Sequence, residues 1–304
     1  MLIWALAGMG LMVLAGHTGQ ASLGHAAFLA CGAYMEAWLG NHGVPFLLSL
    51  PLAGLFAGVV GALIAIPALR MSGIYLAIAT LAMGIVAEDV IVLLEPVTGG
   101  VSGTMVAPIN IFGHEIDRYV NPDQFYWICL AVVVIVTFGY ANLLRSATGR
   151  SFLAIRDSEV SAKAMGINTR NLKLLAFGMG ATFGGVSGAM FASFQRFISP
   201  ESFSLQESIM IVAMVVLGGI GHIPGVILGA LLLAALPEVL RYVADPLQNM
   251  TGGRLDASIL RQLLVALAMI SIMLIRPRGL WPSPEHGRAA PAPAAVNGKQ
   301  GAKK

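Results

Sequence analysis

The sequence predicts an all-α fold, a polytopic integral membrane helical bundle with about 8–9 transmembrane segments. The first reason is composition: of the 304 residues, 57% are hydrophobic and 11% are charged, whereas soluble domains are about a quarter charged. The second is that apolar runs recur at the length of about 20 residues that a hydrocarbon core requires. We expect residues 1–281 to form one transmembrane domain and residues 282–304, rich in Pro, Ala, Gly and Lys, to be a disordered cytoplasmic tail.

The apolar runs define the candidate spans. In chain order they are Leu2–Ala15, Ala26–Leu39, Pro45–Leu69, Ile74–Leu94, Phe125–Leu144, Leu174–Phe194, Ser208–Leu217, Val226–Tyr242 and Leu260–Ile275. The first, second and seventh are short for a full crossing, so some segments are expected to be broken. Glycines four residues apart, such as Gly180, Gly184 and Gly188, favour close helix packing over a pore-lining role.

The distribution of charge predicts the orientation. The loop Arg145–Lys173 carries six of the 18 basic residues, which is typical of a cytoplasmic loop between two spans. Arg70 and the tail after Arg276 are expected on the same side. The connection Glu95–Gln124 carries one basic residue among four acidic ones and is the expected external loop. Counting spans backwards then places Met1 outside.

The basic loop has the pattern of a short capped helix. Asp157 or Ser158 can cap its N-terminus, Glu159 lies in its first turn, Lys163 follows at i+4, and Gly166 stands where a C-terminal cap belongs. A capped helix held at the cytoplasmic face suits the docking of a soluble partner.

Several polar residues in or near the apolar runs are candidates for a translocation path. Carboxylates at membrane depth are costly and often functional, and among Glu36, Glu88 and Asp89 we consider a transport role for Glu88 or Asp89. Each of the three nevertheless lies near the end of its segment, within reach of water. Gln20, His25 and Glu88 are retained as path candidates; His17, His25 and His222 are more typical of residues that form hydrogen bonds at helix ends than of metal ligands.

Two segments share the same short sequence pattern. Leu23-Gly24-His25 is followed after six residues by Gly32-Ala33, and Ile220-Gly221-His222 is followed after six by Gly229-Ala230. Glycine-rich interruptions at corresponding places in two halves are typical of transporters built from repeats. Coincidence in a chain with 36 glycines is an equally good explanation.

The sequence lacks several common catalytic motifs. It has no GxxxxGK[ST] loop to hold ATP, and the GVSG runs at 100–103 and 185–188 do not complete GxSxG, because Thr104 and Ala189 follow. The two cysteines, Cys31 and Cys129, make no case for a disulfide or a metal site. We therefore expect no enzyme activity, no cofactor, no metal and no nucleic-acid partner.

Several motifs along the chain resemble those of permease subunits of branched-chain amino acid ABC importers. They are GHTGQASLGHAAFLACGAY (Gly16–Tyr34), SGIYLAIATLAMG (Ser72–Gly84), TGGVSGT (Thr98–Thr104), GRSFLAIRDSEVSAKAMGIN (Gly149–Asn168), VVLGGIGHIPGVILGA (Val215–Ala230) and RPRGLWP (Arg276–Pro282). They occur in the family's order over nearly the whole chain. The IYLAIATLA, TGG and RPRGL elements favour a LivM-like over a LivH-like subunit.

The resemblance implies an importer permease in the cell (inner) membrane that crosses it several times. It also implies a homologous LivH-like permease, two cytoplasmic ATP-binding subunits and an external solute-binding protein as partners. The ATPase-coupling residues would be Arg156, Asp157, Glu159, Ala162, Lys163 and Gly166, with the small pair Ala162 and Gly166 letting a helix over Ser158–Met165 seat in a cleft of the ATPase. Family members usually carry another apolar helix before the part that matches Met1–Ala15, which suggests a truncated or misassigned start.

The function expected is therefore ATP-driven import of a branched-chain amino acid, although relatives of this type can carry other amino acids, urea or amides. The alternative is a stand-alone secondary transporter or channel for a small polar solute. That alternative would be expected to carry ionisable residues deep inside its spans, whereas the middles of Phe125–Leu144 and Leu174–Phe194 carry none. A membrane enzyme ranks third.

Overall fold

The structure is a computed structural model of the chain. It describes residues 1–71, 73–111, 114–118, 120–250, 263, 266–267, 269–271, 274–275 and 279–281, with the backbone alone for residues 114 and 240–250. The predicted span Leu260–Ile275 falls largely outside the described residues, and the predicted tail over residues 282–304 falls wholly outside them.

The all-α prediction is confirmed, since the four strands that the structure describes have two or three residues each. The helices are α1 (Leu2–Leu11), α2 (His25–Asn41), α3 (Phe46–Ala68), α4 (Ile74–Leu93), α5 (Glu95–Thr98), α6 (Pro122–Arg145), α7 (Ala147–Asp157), α8 (Glu159–Ala164), α9 (Thr169–Gln195), α10 (Leu205–Gly218) and α11 (Ile223–Met250). The strands are β1 (Thr104–Met105), β2 (Ile109–Ile111), β3 (His114–Ile116) and β4 (Phe197–Ile198). A π-helical turn, Met12–His17, continues α1, and 3-10 turns lie at Gly100–Ser102 and Pro200–Phe203.

Five helical stretches in the described part of the chain are long and apolar enough to cross a membrane. They are Phe46–Ala68, Ile74–Leu93, Pro122–Arg145, Thr169–Gln195 and Pro200–Gly218. Leu2–His17 and Ile223–Val239 are shorter apolar helices. The helix α2 has 17 residues and is buried along most of its length. The predicted total of about 8–9 segments stays a prediction.

The helix α9 lies at the centre of the bundle, packed against α1, α2 and α3. Glycines make these approaches possible. A Cβ atom at Gly188 would collide with the Leu29 carbonyl of α2, and one at Gly32 would collide with the backbone of Gly185. Such contacts confirm the packing interpretation of the four-residue glycine spacing, because only a residue without a side chain lets the two backbones approach this closely.

The two ends of the bundle differ in the loops they carry. At one end, the α3–α4 turn around Leu69 and Met71 lies beside Arg156 and Lys173; we name this the basic end. At the other, β1 pairs with β4, and the Asn41 side chain at the end of α2 donates to the Met105 carbonyl at 3.0 Å. We name this the acidic end, because β1 belongs to the connection Glu95–Gln124, which carries four acidic residues and one basic residue. The grouping agrees with the prediction that Arg70 and the basic loop share one side.

Two breaks interrupt the helices at related places. The run α1 and its π-helical turn end at His17, and α2 begins at His25; likewise α10 ends at Gly218, and α11 begins at Ile223. The Gly221 N–H lies 3.3 Å from the Met12 sulfur, so the second break lies against the end of the first helix. The two echoing motifs therefore occupy matching positions, each at the start of the helix that follows a break, which supports the repeat over coincidence.

The second break is closed by residues from far along the chain. The N–H groups of Leu280 and Trp281 donate to the carbonyls of Leu217 and Gly218 at 2.9 and 3.1 Å. The last carbonyls of a helix have no partner within it, so this segment satisfies two groups at the end of α10. Gly279, with φ of 82°, is in the left-handed region that lets the segment approach.

Candidate functional site

The helices α7 and α8 form a corner at the basic end, which we name the α7–α8 corner (Ala147–Ala164). Ser158 caps α8, since its Oγ accepts the Ser161 N–H at 3.3 Å. Asp157, the other predicted cap, instead ends α7. Gly166 follows α8 with φ of 81°, as expected for a left-handed residue after a helix. The local pattern of the sequence thus predicted α8 and its caps, whereas the preceding helix α7 was not predicted.

Glu159 ties α8 to α9 through two lysines. Its carboxylate lies 2.9 Å from Lys163 on its own helix and 2.6 Å from Lys173 on α9. The hydrogen bonds from Lys173 and Lys163 lower the pKa of Glu159 below its ordinary value. Glu159 therefore stays ionised at neutral pH and holds α8 against the bundle.

The outward face of α8 and the residue that follows it carry exposed apolar side chains. Val160 is 80% exposed and Met165 is 81% exposed, and the Lys163 side chain projects beside them. Ala162 lies on the opposite face and is 1% exposed. Ala162 is thus covered by its own chain, where a small residue lets α8 lie close to the bundle; that Ala162 contacts an ATPase stays a prediction.

Arg156 connects the corner to the first helix. Its guanidinium donates to the carbonyl of Gly16, in the π-helical turn, at 2.7 Å. A cavity of about 140 Å³ lies next to this contact, between the first break and the corner, and is lined by Thr18, Gln20, Arg156, Glu159 and Lys173 among others. Arg156 was predicted to make polar contacts with a partner. The structure assigns its guanidinium an acceptor within the chain, and no local sequence signal could identify a contact across 140 residues.

The first break is a non-helical segment with buried polar side chains. Gln20 donates to the Thr18 hydroxyl at 3.0 Å, and its own carbonyl oxygen has no hydrogen-bond partner in the described structure. The Leu23 N–H donates to the Thr80 hydroxyl of α4 at 3.0 Å. His25 is fully buried at the start of α2, facing Gly10 and Gly184. Irregular backbone at membrane depth is tolerated where protein covers it or where it lines a cavity.

The three residues predicted for a translocation path do not form one cluster. Gln20 and His25 share the first break, whereas Glu88 is half-buried on α4, a helix whose surface is mostly exposed. Asp89 beside it is exposed. Among the three acids, the buried one is Glu36, at 4% exposure. Glu36 lies near the end of α2, as expected, but its side chain is buried beside Ser49 of α3 and borders a cavity at that end instead of bulk solvent.

His17 forms a hydrogen bond at a helix end, as predicted. Its Nδ1 lies 3.2 Å from the Met12 carbonyl and 2.8 Å from the Tyr140 hydroxyl of α6. The two rings also meet edge to face with centroids 5.7 Å apart. This contact fixes the π-helical turn to α6, the helix that leads into the α7–α8 corner.

The described residues offer no group of three or more His, Cys, Asp or Glu side chains that could hold a metal ion.

Comparison with known proteins identifies a family. The family model described as "Branched-chain amino acid transport system / permease component" matches residues 1–274. The high-affinity branched-chain amino acid transport system permease protein LivM of Escherichia coli (strain K12) is 35% identical over 303 residues, covering 92% of this chain and 68% of that protein.

Two more distant relatives also match. The probable branched-chain amino acid transport permease protein LivM of Methanocaldococcus jannaschii is 27% identical over 78% of this chain and 68% of its own length. The autoinducer 2 import system permease protein LsrC of Yersinia enterocolitica is 35% identical over 38% of this chain and 32% of its own length. No solved structure matches.

Proposed function

The chain belongs to the family of permease components of branched-chain amino acid transport systems, and from this premise we propose that it forms half of the membrane pathway of an ATP-driven importer. The cargo is leucine, isoleucine or valine, the class named for the relatives with the broadest match. The permease is a multi-pass membrane protein, and we place it in the cell (inner) membrane with the basic end in the cytoplasm.

Permeases of this kind work with ATP-hydrolysing and solute-binding proteins. The specific assembly proposed here has one LivH-like permease beside this chain, two cytoplasmic ATP-binding subunits, and one external solute-binding protein. The chain itself is a transport subunit. The energy for transport comes from its ATP-binding partners.

The α7–α8 corner is the surface on which an ATP-binding subunit docks. Two apolar side chains are exposed there: Val160 lies on α8, and Met165 follows directly after it. The ion pair between Glu159 and Lys173 ties α8 to the bundle. An apolar side chain exposed on a loop is stabilised when a partner covers it. Lys163 and Gly166 lie at the same surface, whereas Ala162 supports it from inside.

One contact supports a route from the docking surface to the pathway. The Arg156 guanidinium holds the Gly16 carbonyl at 2.7 Å. A shift of the α7–α8 corner would therefore pull on the π-helical turn and on the first break behind it, where Gln20 and His25 lie. Asp157, at the end of α7, forms part of the corner that moves.

The proposal is tested by reconstituting the complete importer in vesicles and measuring leucine uptake and ATP hydrolysis. Met165→Asp should reduce both uptake and co-purification of the ATP-binding subunits by tenfold or more. The substitution replaces an apolar contact in the interface by a buried charge, which weakens the binding free energy by on the order of 2 kcal/mol. Val101→Asp is the control, since Val101 is also apolar and exposed (75%) but lies at the acidic end.

Two results would contradict the proposal. One is normal uptake and normal co-purification by Met165→Asp at normal expression. The other is leucine flux driven by an ion gradient through the purified chain without any ATPase, which would favour a stand-alone secondary transporter or channel.

A further inference from the structure

A cavity of about 410 Å³ opens at the acidic end, opposite the α7–α8 corner. It lies between the end of α2, the start of α3, the segment from Val106 to Ile111, and Ser193 on α9. Cavities of about 300 Å³ and more are large enough for a small organic ligand. Nothing in the proposed coupling route uses this cavity.

A buried carboxylate lines the cavity. Glu36 is 4% exposed, and its Oε1 accepts the Ser49 hydroxyl at 2.7 Å. Its Oε2 has no hydrogen-bond partner in the described structure. An unpaired oxygen on a buried carboxyl group is costly, so such atoms usually have a partner or a function. An ammonium group in the cavity would satisfy this oxygen.

The start of α3 lines the same cavity with free N–H groups. Pro45 precedes the helix, and its carbonyl accepts the N–H groups of Leu48 and Ser49. The N–H groups of Phe46 and Leu47 come earlier and have no acceptor within the helix. The N-terminus of this 23-residue helix also carries a partial positive charge. It is therefore a site for a carboxylate.

The rest of the wall is mostly apolar. Val44, Phe46, Val106 and Ile109 line the cavity, and its described lining includes Glu115 at the rim but neither lysine nor arginine. The cavity thus presents a buried carboxyl group, a helix N-terminus and an apolar wall. These three features are complementary to the ammonium, carboxylate and side chain of an apolar amino acid.

We infer that this cavity is an entry site for an α-amino acid with an apolar side chain. The Glu36 Oε2 receives the ammonium group, and the start of α3 receives the carboxylate. The inference rests on the proposed function and deepens it. It gives the importer's cargo a first binding site on this chain, which is occupied after release from the external binding protein and before passage through the membrane.

The test compares Glu36→Gln with wild type in the complete reconstituted importer. The number of leucine molecules imported per ATP hydrolysed should fall about tenfold, the usual effect of losing one charged hydrogen bond. Assembly and ATP hydrolysis should stay normal, and Glu36→Asp should restore part of the ratio. Glu201→Gln is the matched control, since Glu201 is an exposed glutamate at the same end.

A merely structural role for Glu36, as an anion that stabilises the start of α3, makes a different prediction. Glu36→Gln would then lower the yield of assembled importer and leave the leucine-to-ATP ratio of the assembled fraction unchanged. That result overturns the inference, and so does an unchanged ratio at normal yield.

A second measurement does not depend on transport. In a chain with Cys31 and Cys129 replaced by alanine, Leu47→Cys places a thiol at the cavity rim for a membrane-impermeant maleimide. Excess leucine should slow labelling when Glu36 is present and should not slow it in Glu36→Gln. Equal labelling with and without leucine overturns the site. A wild-type importer that hydrolyses ATP but imports no leucine contradicts the proposed function instead, and the labelling result still decides the site.

Discussion

Arg156 shows how one side chain can link two distant parts of this protein. Its backbone belongs to α7, at the proposed docking corner, while its guanidinium binds the carbonyl of Gly16 beside the first break. The carbonyls at the end of a helix are free to accept such a bond. An arginine is suited to this position because its planar head is charged and rigid.

Replacing Arg156 with lysine should therefore separate ATP hydrolysis from transport. Arg156→Lys keeps the positive charge but loses the planar head. We expect leucine uptake to fall at least fivefold while ATP hydrolysis is retained. This fall corresponds to about 1 kcal/mol, the size of one lost hydrogen bond. The measurement is uptake per ATP in reconstituted vesicles.

Arg150→Lys is the control for this experiment. Arg150 is also in α7, but its guanidinium donates to the Arg145 carbonyl within the same loop, at 2.9 Å. An equal effect of the two substitutions would show that the contact with Gly16 has no special role.

At the residue scale, a side-chain contact could be predicted from the sequence only where its partners are close neighbours along the chain. The Ser158 cap and the pair Glu159–Lys163 involve neighbours three or four residues apart, and the spacing alone indicates them. The bond from Arg156 to Gly16 and the cover over Glu36 depend on how helices pack, which one sequence does not reveal. The inward direction of Ala162 was missed for the same reason.

At the scale of elements, backbone contact between α2 and α9 shapes the bundle. Gly188 lies against the Leu29 carbonyl, and Gly32 lies against the backbone of Gly185. Without an aqueous phase to drive apolar groups together, membrane helices associate largely through such close packing. A methyl group at one of these positions would force the helices apart.

Gly188→Ala should destabilise the protein strongly, by roughly 2 kcal/mol or more, because the new methyl group meets main-chain atoms that cannot move aside. The measurement is thermal unfolding of the purified chain in detergent. Gly139→Ala is the matched control: Gly139 lies on the exposed surface of α6, and a Cβ atom there would meet nothing within 4 Å. Similar unfolding temperatures for both variants would contradict this packing.

The long apolar runs were predicted close to their observed bounds, because hydropathy marks them directly. For example, Pro45–Leu69 was predicted and α3 is Phe46–Ala68. The short segments were harder to interpret. The helix α2 is only 17 residues long and follows a buried break, and its polar neighbours become compatible with the membrane only through contacts with α4 and α9.

At the scale of the whole molecule, the two ends of the bundle carry opposite charge patterns. The basic end gathers the α7–α8 corner and the turn after α3, whereas the acidic end gathers the strands and the proposed entry cavity. The positive-inside rule predicts that the basic end faces the cytoplasm. The proposed orientation would put the proposed docking corner on the side where ATP is available.

Cysteine labelling in intact cells and in inverted vesicles tests the orientation. In the chain without native cysteines, Lys163→Cys should react with an impermeant maleimide only in inverted vesicles. Val120→Cys, an exposed position at the acidic end, should react only in intact cells. The opposite pattern would place the proposed docking corner outside the cell and exclude the importer.

The glycine contacts of α9 also restrict how the protein can move. Atoms of α9 interlock with α2 and α3 so closely that sliding one past another by part of a turn would bring main chains into collision. We therefore expect these three helices to move as one rigid unit. The mostly exposed α4, which begins after Gly73 with φ of 60°, is joined to this unit at the first break, where the Thr80 hydroxyl accepts the Leu23 N–H.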